Sequence, residues 1–520
     1  MKFGTIVLAA ISMLSVGCQS QKKKVITNSD KPNILIIFPD QLRRYSAGFW
    51  SEPGYKEYVI GKSDPVYTPN IDLLAKNGVV VTKGISNFPL CSPYRGMLMS
   101  GMYPEQNGIW NNCIKGRTEN LKDEVQAIPD LFLKAGYNTS YFGKTHWHIT
   151  EPLFDKKGNY VGTDKEPGGN YVNTYDTYVP NGRPRHGIEY FYQSVKDDHY
   201  NPHIYSNDPG AIEGKKDGEL HLPKVFSPKN EAAKIVDYLR NSRGQRDTSK
   251  PFCMMWALNP PHSPWDDGNT DMETLKEYYD TDKFPKIDHS LVVRDNASLE
   301  VAKYARNYFA NVTSTDKYIG IVLDELKKMG VLDNTIVIFT SDHGEMLGSH
   351  DDEGKNVIEM EAMAIPLIVH WPKGLKKGIV DVLFSAPDVL PTVMGLAGLK
   401  TEIPAEVQGL NLADILENPL ATKLKKPESL LLMLSHSRGV LTDRYTLCVN
   451  ENKKATKELG ETFFYDNLKD PYQFKKISLK DEPEVAKELL VQLGIKLKMA
   501  NDPWYKTKKF SSLIPYPKNK

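Results

Sequence analysis

Short apolar runs alternate with helical patterns along most of this chain. Each run is apolar at successive positions rather than at every second one, as expected for strands covered on both faces. The helical patterns repeat every three to four residues and lie between several of the runs. This alternation predicts an α/β fold with a mostly parallel central sheet flanked by helices. The predicted strands are 33–38, 79–81, 137–142, 252–258, 335–339 and 365–370, and the predicted helices are 71–76, 127–134, 231–239 and about 299–328.

The pattern changes after residue 427. Three short runs there indicate antiparallel strands, followed by a strand with a turn and an amphipathic helix: 430–434, 438–441, 444–449, 463–466 and 483–499. A chain of 520 residues also exceeds what one hydrophobic core usually supports. We therefore predict a catalytic α/β domain at 33–427 and a smaller C-terminal subdomain at 428–520, built from an antiparallel sheet and a helix.

The segment 151–228 is rich in Gly, Asn, Asp, Tyr and Pro, and its periodicity is weak. This composition predicts a long, loop-rich insertion in the first domain. Long loops in compact domains often carry function, so the insertion is either part of a substrate-pocket wall or a solvent-facing decoration.

The first residues have the features of an export signal. A basic start is followed by an apolar run at 6–16, which is too short to span a bilayer as a mature helix. The run ends in Val16-Gly17-Cys18, which resembles a bacterial lipobox. We expect residues 1–17 to be a lipoprotein signal peptide, Cys18 to carry lipid, and the polar, lysine-rich stretch 18–32 to be a flexible tether. Secretion with cleavage nearby is the alternative. Because no acidic run follows Cys18, we expect attachment in the cell envelope on the periplasmic rather than the surface side.

Charge and cysteine content narrow the class of protein further. The formal net charge is +1, so no overall field attracts nucleic acid or a membrane surface. We expect no nucleic-acid partner, and membrane contact only through the lipid. The five cysteines are widely spaced and odd in number, which argues against a disulfide framework.

Polar residues follow four of the predicted strands. Asp40-Gln41 follows the first strand, Lys144 and His146 the third, His262 the fourth and Asp342-His343 the fifth. In open α/β sheets, ligands bind beyond the carboxyl ends of the strands, so we expect these side chains to meet at one edge. For any one of them an ordinary turn is the simpler interpretation. Together they predict a divalent cation, held by the carboxylates with an imidazole, and groups for proton transfer.

The most informative stretch is Cys91-Ser92-Pro93-Tyr94-Arg95, which continues to Pro104 as L-x-S-G-x-x-P. A free cysteine is most often a small buried hydrophobe. Pro93, however, suits the first turn of a helix, which would place Cys91 at the helix N-terminus. Unpaired N–H groups there favour an anion such as a sulfate or phosphate ester.

These segments resemble the type I sulfatases of the alkaline-phosphatase-like superfamily, here a bacterial exported carbohydrate sulfatase, over nearly everything from Asn33 onward. The resemblance implies that a maturation enzyme oxidises Cys91 to formylglycine (3-oxoalanine), whose hydrated aldehyde is the nucleophile. It also implies one calcium ion per chain. The first metal motif of that family is usually Asp-Asp, whereas this chain has an amide at the second place, so magnesium, manganese or zinc stays open. The implied metal site consists of Asp40, Gln41, Cys91, Asp342 and His343.

The resemblance also assigns roles to further side chains. Arg95 would anchor the hydrated aldehyde, and Lys144 of the G-K-x-H motif would bind sulfate. His146 of the same motif would be the base of the second half-reaction. His262 of the P-H-x-P motif would be a general acid near the leaving oxygen. Lys355 would bind sulfate and stabilise the departing alkoxide.

Three other functions stay open at this point. A phosphodiesterase or phosphonate monoester hydrolase of the same superfamily would need similar residues. A two-metal alkaline phosphatase fits less well, because the sequence shows no ligands for a second cation. A glycan-binding lipoprotein without catalysis is argued against by the retention of all six catalytic side chains. The expected partners are a sulfated glycan or saccharide substrate and a sulfatase-maturation enzyme. The sugar, the hydroxyl that carries the sulfate, and exo or endo action do not follow from the sequence.

Overall fold

A computed structural model describes residue 1 and residues 31–114, 117–149, 176–195, 199–280, 304–419 and 424–517. The predicted lipidation site Cys18, nearly all of the signal peptide and tether, and part of the 151–228 segment lie outside the described residues. Within the described part, none of the helices is long and apolar enough to cross a bilayer.

The larger sheet contains ten strands among the described residues, in the order β10-β2-β9-β7-β1-β6-β3-β4-β5, with β8 paired to β2. The pairs β10–β2, β7–β1, β1–β6, β6–β3 and β3–β4 are parallel, and only the pairs made by β5, β8 and β9 are antiparallel. The prediction of a mostly parallel sheet is therefore confirmed. The strands are β1 (Asn33–Ile37), β2 (Val79–Ile85), β3 (Asn138–Lys144), β4 (Tyr190–Ser194), β5 (Ile204–Ser206), β6 (Phe252–Ala257), β7 (Thr335–Phe339), β8 (Ala364–Ile365), β9 (Ile368–His370) and β10 (Gly378–Ser385).

Helices cover both faces of this sheet. Alternate residues of β1 belong to two different cores: Ile34 and Ile36 pack on one face, and Leu35 and Ile37 on the other. A strand buried on both faces has to be apolar at every position, which explains the continuous run in the sequence. The helices are α1 (Pro69–Asn77), α2 (Cys91–Ser100), α3 (Pro104–Asn107), α4 (Ile128–Lys134), α5 (Ser227–Leu239), α6 (Met272–Tyr279), α7 (Ala305–Lys328), α8 (Met360–Met363), α9 (Val389–Leu396), α10 (Ala413–Glu417), α11 (Pro483–Met499) and α12 (Pro503–Thr507).

The sheet differs from the prediction at its flanks. The run 365–370 forms two short strands rather than one, because Pro366 lies between β8 and β9 and cannot donate to a ladder. Both short strands run antiparallel to β2. Strands β4 and β5 come from the described part of 151–228, so this segment extends the sheet beyond β3 as well as forming loops.

The C-terminal part forms a separate antiparallel sheet with a helix, as predicted. Its strands are joined in sequence order, and α11 packs against β11 and β12. Its inner face shares a buried cluster with the main domain, in which Leu431 and Val440 join Phe384 and Leu390. The strands are β11 (Ser429–Leu434), β12 (Ser437–Thr442), β13 (Tyr445–Asn452), β14 (Ala455–Asp466) and β15 (Ile477–Ser478).

Candidate active site

Five parallel strands deliver the predicted residues to one edge of the sheet. Because β1, β2, β3, β6 and β7 all point the same way, the segments that follow them start at the same edge. The residues that these segments carry are buried almost completely, apart from Lys355, which is partly buried. They are Asp40, Gln41, Cys91, Arg95, Lys144, His146, His262, Asp342, His343 and Lys355.

Four of these residues converge on a point that a cation could occupy. One ligand atom each from Asp40, Cys91, Asp342 and His343 lies within 4.8 Å of the other three. His343 Nε2 is 3.3 Å from the Cys91 Sγ, 3.6 Å from Asp40 Oδ1 and 3.7 Å from Asp342 Oδ1. His343 Nδ1 lies 2.9 Å from the carbonyl oxygen of Gly344, so Nδ1 carries the proton and the Nε2 lone pair faces the cluster. Two carboxylates, an imidazole and residue 91 form a donor set that fits a divalent cation.

Fixed cations hold the two carboxylates in orientation. Asp40 turns Oδ2 to Lys144 Nζ and Arg95 Nη2, each at 2.9 Å, and keeps Oδ1 for the cluster. Asp342 likewise turns Oδ2 to Arg95 Nη2 at 3.1 Å. The other arm of Arg95 donates to the carbonyl oxygen of Lys144 at 2.7 Å. Arg95 therefore braces both carboxylates, in addition to the role toward residue 91 that the sequence predicts for it.

The electrostatic balance separates the two acids. Burial raises the pKa of Asp342 to about 6, and the neighbouring Asp40 adds to the rise. Burial and Cys91 also act to raise the pKa of Asp40, but Lys144, His262 and Arg95 outweigh them, so it lies below its usual range. Asp40 is thus the more firmly ionised of the pair.

Cys91 is the first residue of α2, as Pro93 predicts. Leu90 before it is extended, and all ten residues of the helix are buried. Burial opposes ionisation of the thiol, yet Lys144, Lys355 and His343 lower its pKa well below the ordinary value, with a hydrogen bond to His146 adding to them. Residue 91 therefore occupies a place built to hold negative charge.

The G-K-x-H segment bends sharply at the end of β3. Gly143 has a φ of +94°, and a Cβ there would stand 2.0 Å from the carbonyl oxygen of Ala257. Only glycine fits this crossing of β3 and β6. His146 has a φ of 54°, an uncommon conformation for a non-glycine residue, and its side chain reaches Cys91.

A second group lies on the other side of residue 91's pocket wall. Lys355 Nζ is 2.8 Å from His262 Nε2, and it also donates to the Gln41 Oε1. The Gln41 Nε2 donates to Glu345. Glu345 was not predicted from the sequence, although it stands three residues after Asp342 in the same segment. Its spacing from the metal motif was the one signal that could have pointed to it.

The fold and this site define a class: hydrolases of anionic esters in the alkaline-phosphatase-like superfamily. A family model described as Sulfatase matches residues 32–399, and one described as N-sulphoglucosamine sulphohydrolase, C-terminal, matches residues 348–501. The chain belongs to the sulfatase family and is a sulfuric ester hydrolase by that membership.

Relatives extend along almost the whole chain. An endo-4-O-sulfatase of Bacteroides thetaiotaomicron is 39% identical, over 96% of this chain and 98% of its own length. An ulvan-active sulfatase of Formosa agariphila is 28% identical, over 98% of this chain and 90% of its own. A solved structure concerned with the metabolism of multiple glycosaminoglycans by Bacteroides thetaiotaomicron is 38% identical. It covers 94% of this chain and 100% of its own, with a TM-score of 0.84.

Proposed function

We propose that this enzyme removes sulfate esters from glycans, with residue 91 acting in its formylglycine form. The observation that carries the proposal is the place of Cys91: it starts a buried helix, and its Sγ lies 3.3 Å from His343 Nε2 and 3.8 Å from Asp40 Oδ1. The aldehyde oxygens of the mature residue would replace this sulfur. Because the chain aligns with an endo-4-O-sulfatase over nearly its full length, a 4-O-sulfate within a sulfated glycan is the first substrate to test.

In the first half-reaction, one hydroxyl of the hydrated aldehyde attacks sulfur and the bond from sulfur to the sugar oxygen breaks. Lys144 neutralises charge on the sulfate from the side of Asp40, and its position is fixed by the 2.9 Å contact to that carboxylate. The leaving oxygen takes one proton from the paired Lys355 and His262. These two groups lie side by side at 2.8 Å, as a shared acid requires.

In the second half-reaction, His146 removes the proton of the remaining hydroxyl. The carbon–oxygen double bond re-forms and sulfate leaves as the aldehyde returns. His146 is already hydrogen-bonded to residue 91, so it needs no rearrangement to act as this base. A serine at position 91 would complete the first half only, since it has no second hydroxyl.

We further propose that Asp40, Asp342, His343 and residue 91 hold one divalent cation, with Gln41 beside them. Calcium is the first candidate, because two carboxylates supply hard oxygen ligands; magnesium, manganese and zinc are the alternatives. Such a cation would offset charge on the sulfate and orient it for in-line displacement.

The substrate class is tested by comparing an aryl sulfate, an aryl phosphodiester and a set of sulfated saccharides. We expect sulfate release from the aryl sulfate and from at least one 4-O-sulfated saccharide, with little turnover of the phosphodiester. Faster hydrolysis of the phosphodiester would favour a phosphodiesterase or phosphonate monoester hydrolase. Binding of a glycan without any turnover would favour a non-catalytic lectin-like role.

We propose that the enzyme is tethered to the periplasmic side of the cell envelope through Cys18. A single acyl chain gives marginal membrane attachment and several chains give stable attachment. Cys18→Ala is therefore expected to move the protein from the membrane fraction to the soluble fraction, measured by fractionation and immunoblotting. The parent chain in the soluble fraction alone would contradict the lipid anchor.

A further inference from the structure

Four side chains form a continuous hydrogen-bonded series at the edge of the site. It runs from Glu345 through Gln41 and Lys355 to His262, whose Nδ1 lies 2.7 Å from the carbonyl oxygen of Ser263. Glu345 and Gln41 are buried, whereas Lys355 is partly exposed toward the site. The three members other than Glu345 come from segments predicted to be functional, and Glu345 ends the series.

The chemistry of the members leaves one arrangement of hydrogens. A carboxylate only accepts and an ammonium only donates. Gln41 lies between the two, so its amide must turn the NH2 to Glu345 and the carbonyl oxygen to Lys355. The same reasoning applies to His262, because the carbonyl of Ser263 only accepts and Lys355 only donates. His262 therefore carries its hydrogen on Nδ1 and offers the lone pair of Nε2 to Lys355.

Glu345 also holds the loop that carries Lys355. Its Oε1 accepts from the backbone N–H of Leu347 at 2.9 Å and of Gly354 at 2.6 Å. Gly354 directly precedes Lys355. The Glu345 carboxylate thus fixes the lysine twice, through the backbone of the neighbouring residue and through the amide of Gln41.

We propose that Glu345 is a positioning residue that sets the direction of this series and thereby aims Lys355 and His262 at the oxygen of the leaving alcohol. The inference rests on the function proposed above, since it assigns the pair to the leaving group. Its consequence is selective. A sugar alkoxide is a poor leaving group and needs the proton, whereas an aryl oxide leaves with little assistance.

The substitution Glu345→Gln reverses the series with almost no change in size. The carbonyl oxygen of residue 345 has to stay with the two backbone N–H groups, so its new NH2 faces Gln41. Gln41 must then turn its carbonyl to residue 345 and its own NH2 to Lys355, which places donor against donor. We expect kcat on a sugar sulfate to fall by about 10²-fold, within the range of general-acid contributions, and kcat on 4-nitrophenyl sulfate to change little.

The exchange Gln41→Glu with Glu345→Gln is the matched rescue. It keeps the total charge, returns an acceptor to Lys355 and lets residue 345 donate to residue 41. We expect this double variant to recover much of the rate on the sugar sulfate that E345Q loses. Glu361→Gln is the control for removal of a nearby buried carboxylate, because the backbones of residues 345 and 361 are hydrogen-bonded to each other. The ratio of the two rates should stay at the parent value in E361Q.

Metal content and a crystal structure of E345Q complete the test. We expect bound metal equal to that of the parent, and Lys355 Nζ moved away from residue 41. An equal loss on both esters, an unaltered rate on the sugar sulfate, or an unmoved Lys355 would overturn the positioning role. If the parent releases sulfate from neither ester, the proposed function fails instead, and the position of Lys355 in the two crystal structures still decides the role of Glu345.

Discussion

Cys91→Ser is expected to lower sulfate release by about 10³-fold or more, as loss of a covalent nucleophile does in other enzymes. Serine can accept the sulfuryl group once, but it lacks the second hydroxyl that expels sulfate. Arg95, Lys144 and the metal ligands remain, so substrate binding should persist. Mass spectrometry should find one sulfate trapped on the variant, and an aldehyde in place of the thiol in the active parent.

Cys448→Ser is the matched control. Cys448 is also buried, but it lies in the C-terminal sheet, where its sulfur contacts Asn450 Oδ1 at 3.3 Å, a contact that a hydroxyl can keep. This variant should retain the parent rate. If unmodified Cys91→Ser turned over sulfate esters as fast as the parent, the formylglycine mechanism would be wrong.

Asp342→Ala is expected to abolish turnover, to about a hundredth of the parent rate or less, while the protein stays folded. Loss of this carboxylate removes a cation ligand, whose contribution to catalysis is several kcal/mol. It also frees one of the two carboxylates that Arg95 bridges, although Arg95 keeps Asp40. Metal content by elemental analysis and sulfate release should fall together, and the far-UV circular dichroism spectrum should not change.

The opposite end of the same strand supplies the control for this variant. Asp333 is exposed and stands just before β7, whereas Asp342 is buried and follows it. Asp333→Ala should leave both metal content and rate unchanged. Full activity of Asp342→Ala with a normal metal load would contradict the metal assignment.

The fold could be predicted where burial alone shapes the sequence. The strand Thr335–Phe339 was predicted to the residue, because both faces are buried and polar residues bound it. Strand β4, Tyr190–Ser194, was missed because its aromatic and polar residues carry no apolar run, and its burial depends on neighbouring strands. Local pattern does not contain that tertiary information.

The site shows the same division. Asp40, Cys91 and Asp342 could be placed together from the rule that parallel strands deliver their loops to one edge. The tasks of single atoms could not. That one oxygen of Asp40 faces Arg95 and Lys144 while the other faces the cluster depends on packing between distant segments. For the same reason, nothing in the sequence shows that Gln41 contacts Glu345.

The complete burial of Cys91 sets a limit on timing. Its exposed fraction is 0%, and it lies within a helix whose every residue is enclosed by the folded chain. An enzyme that oxidises this side chain needs access to an extended peptide around it, and the finished fold offers none. Maturation therefore competes with folding and has to come first. A chain that folds before it meets the maturation enzyme would keep its thiol permanently, so the yield of active enzyme should be greatest where folding is slowest.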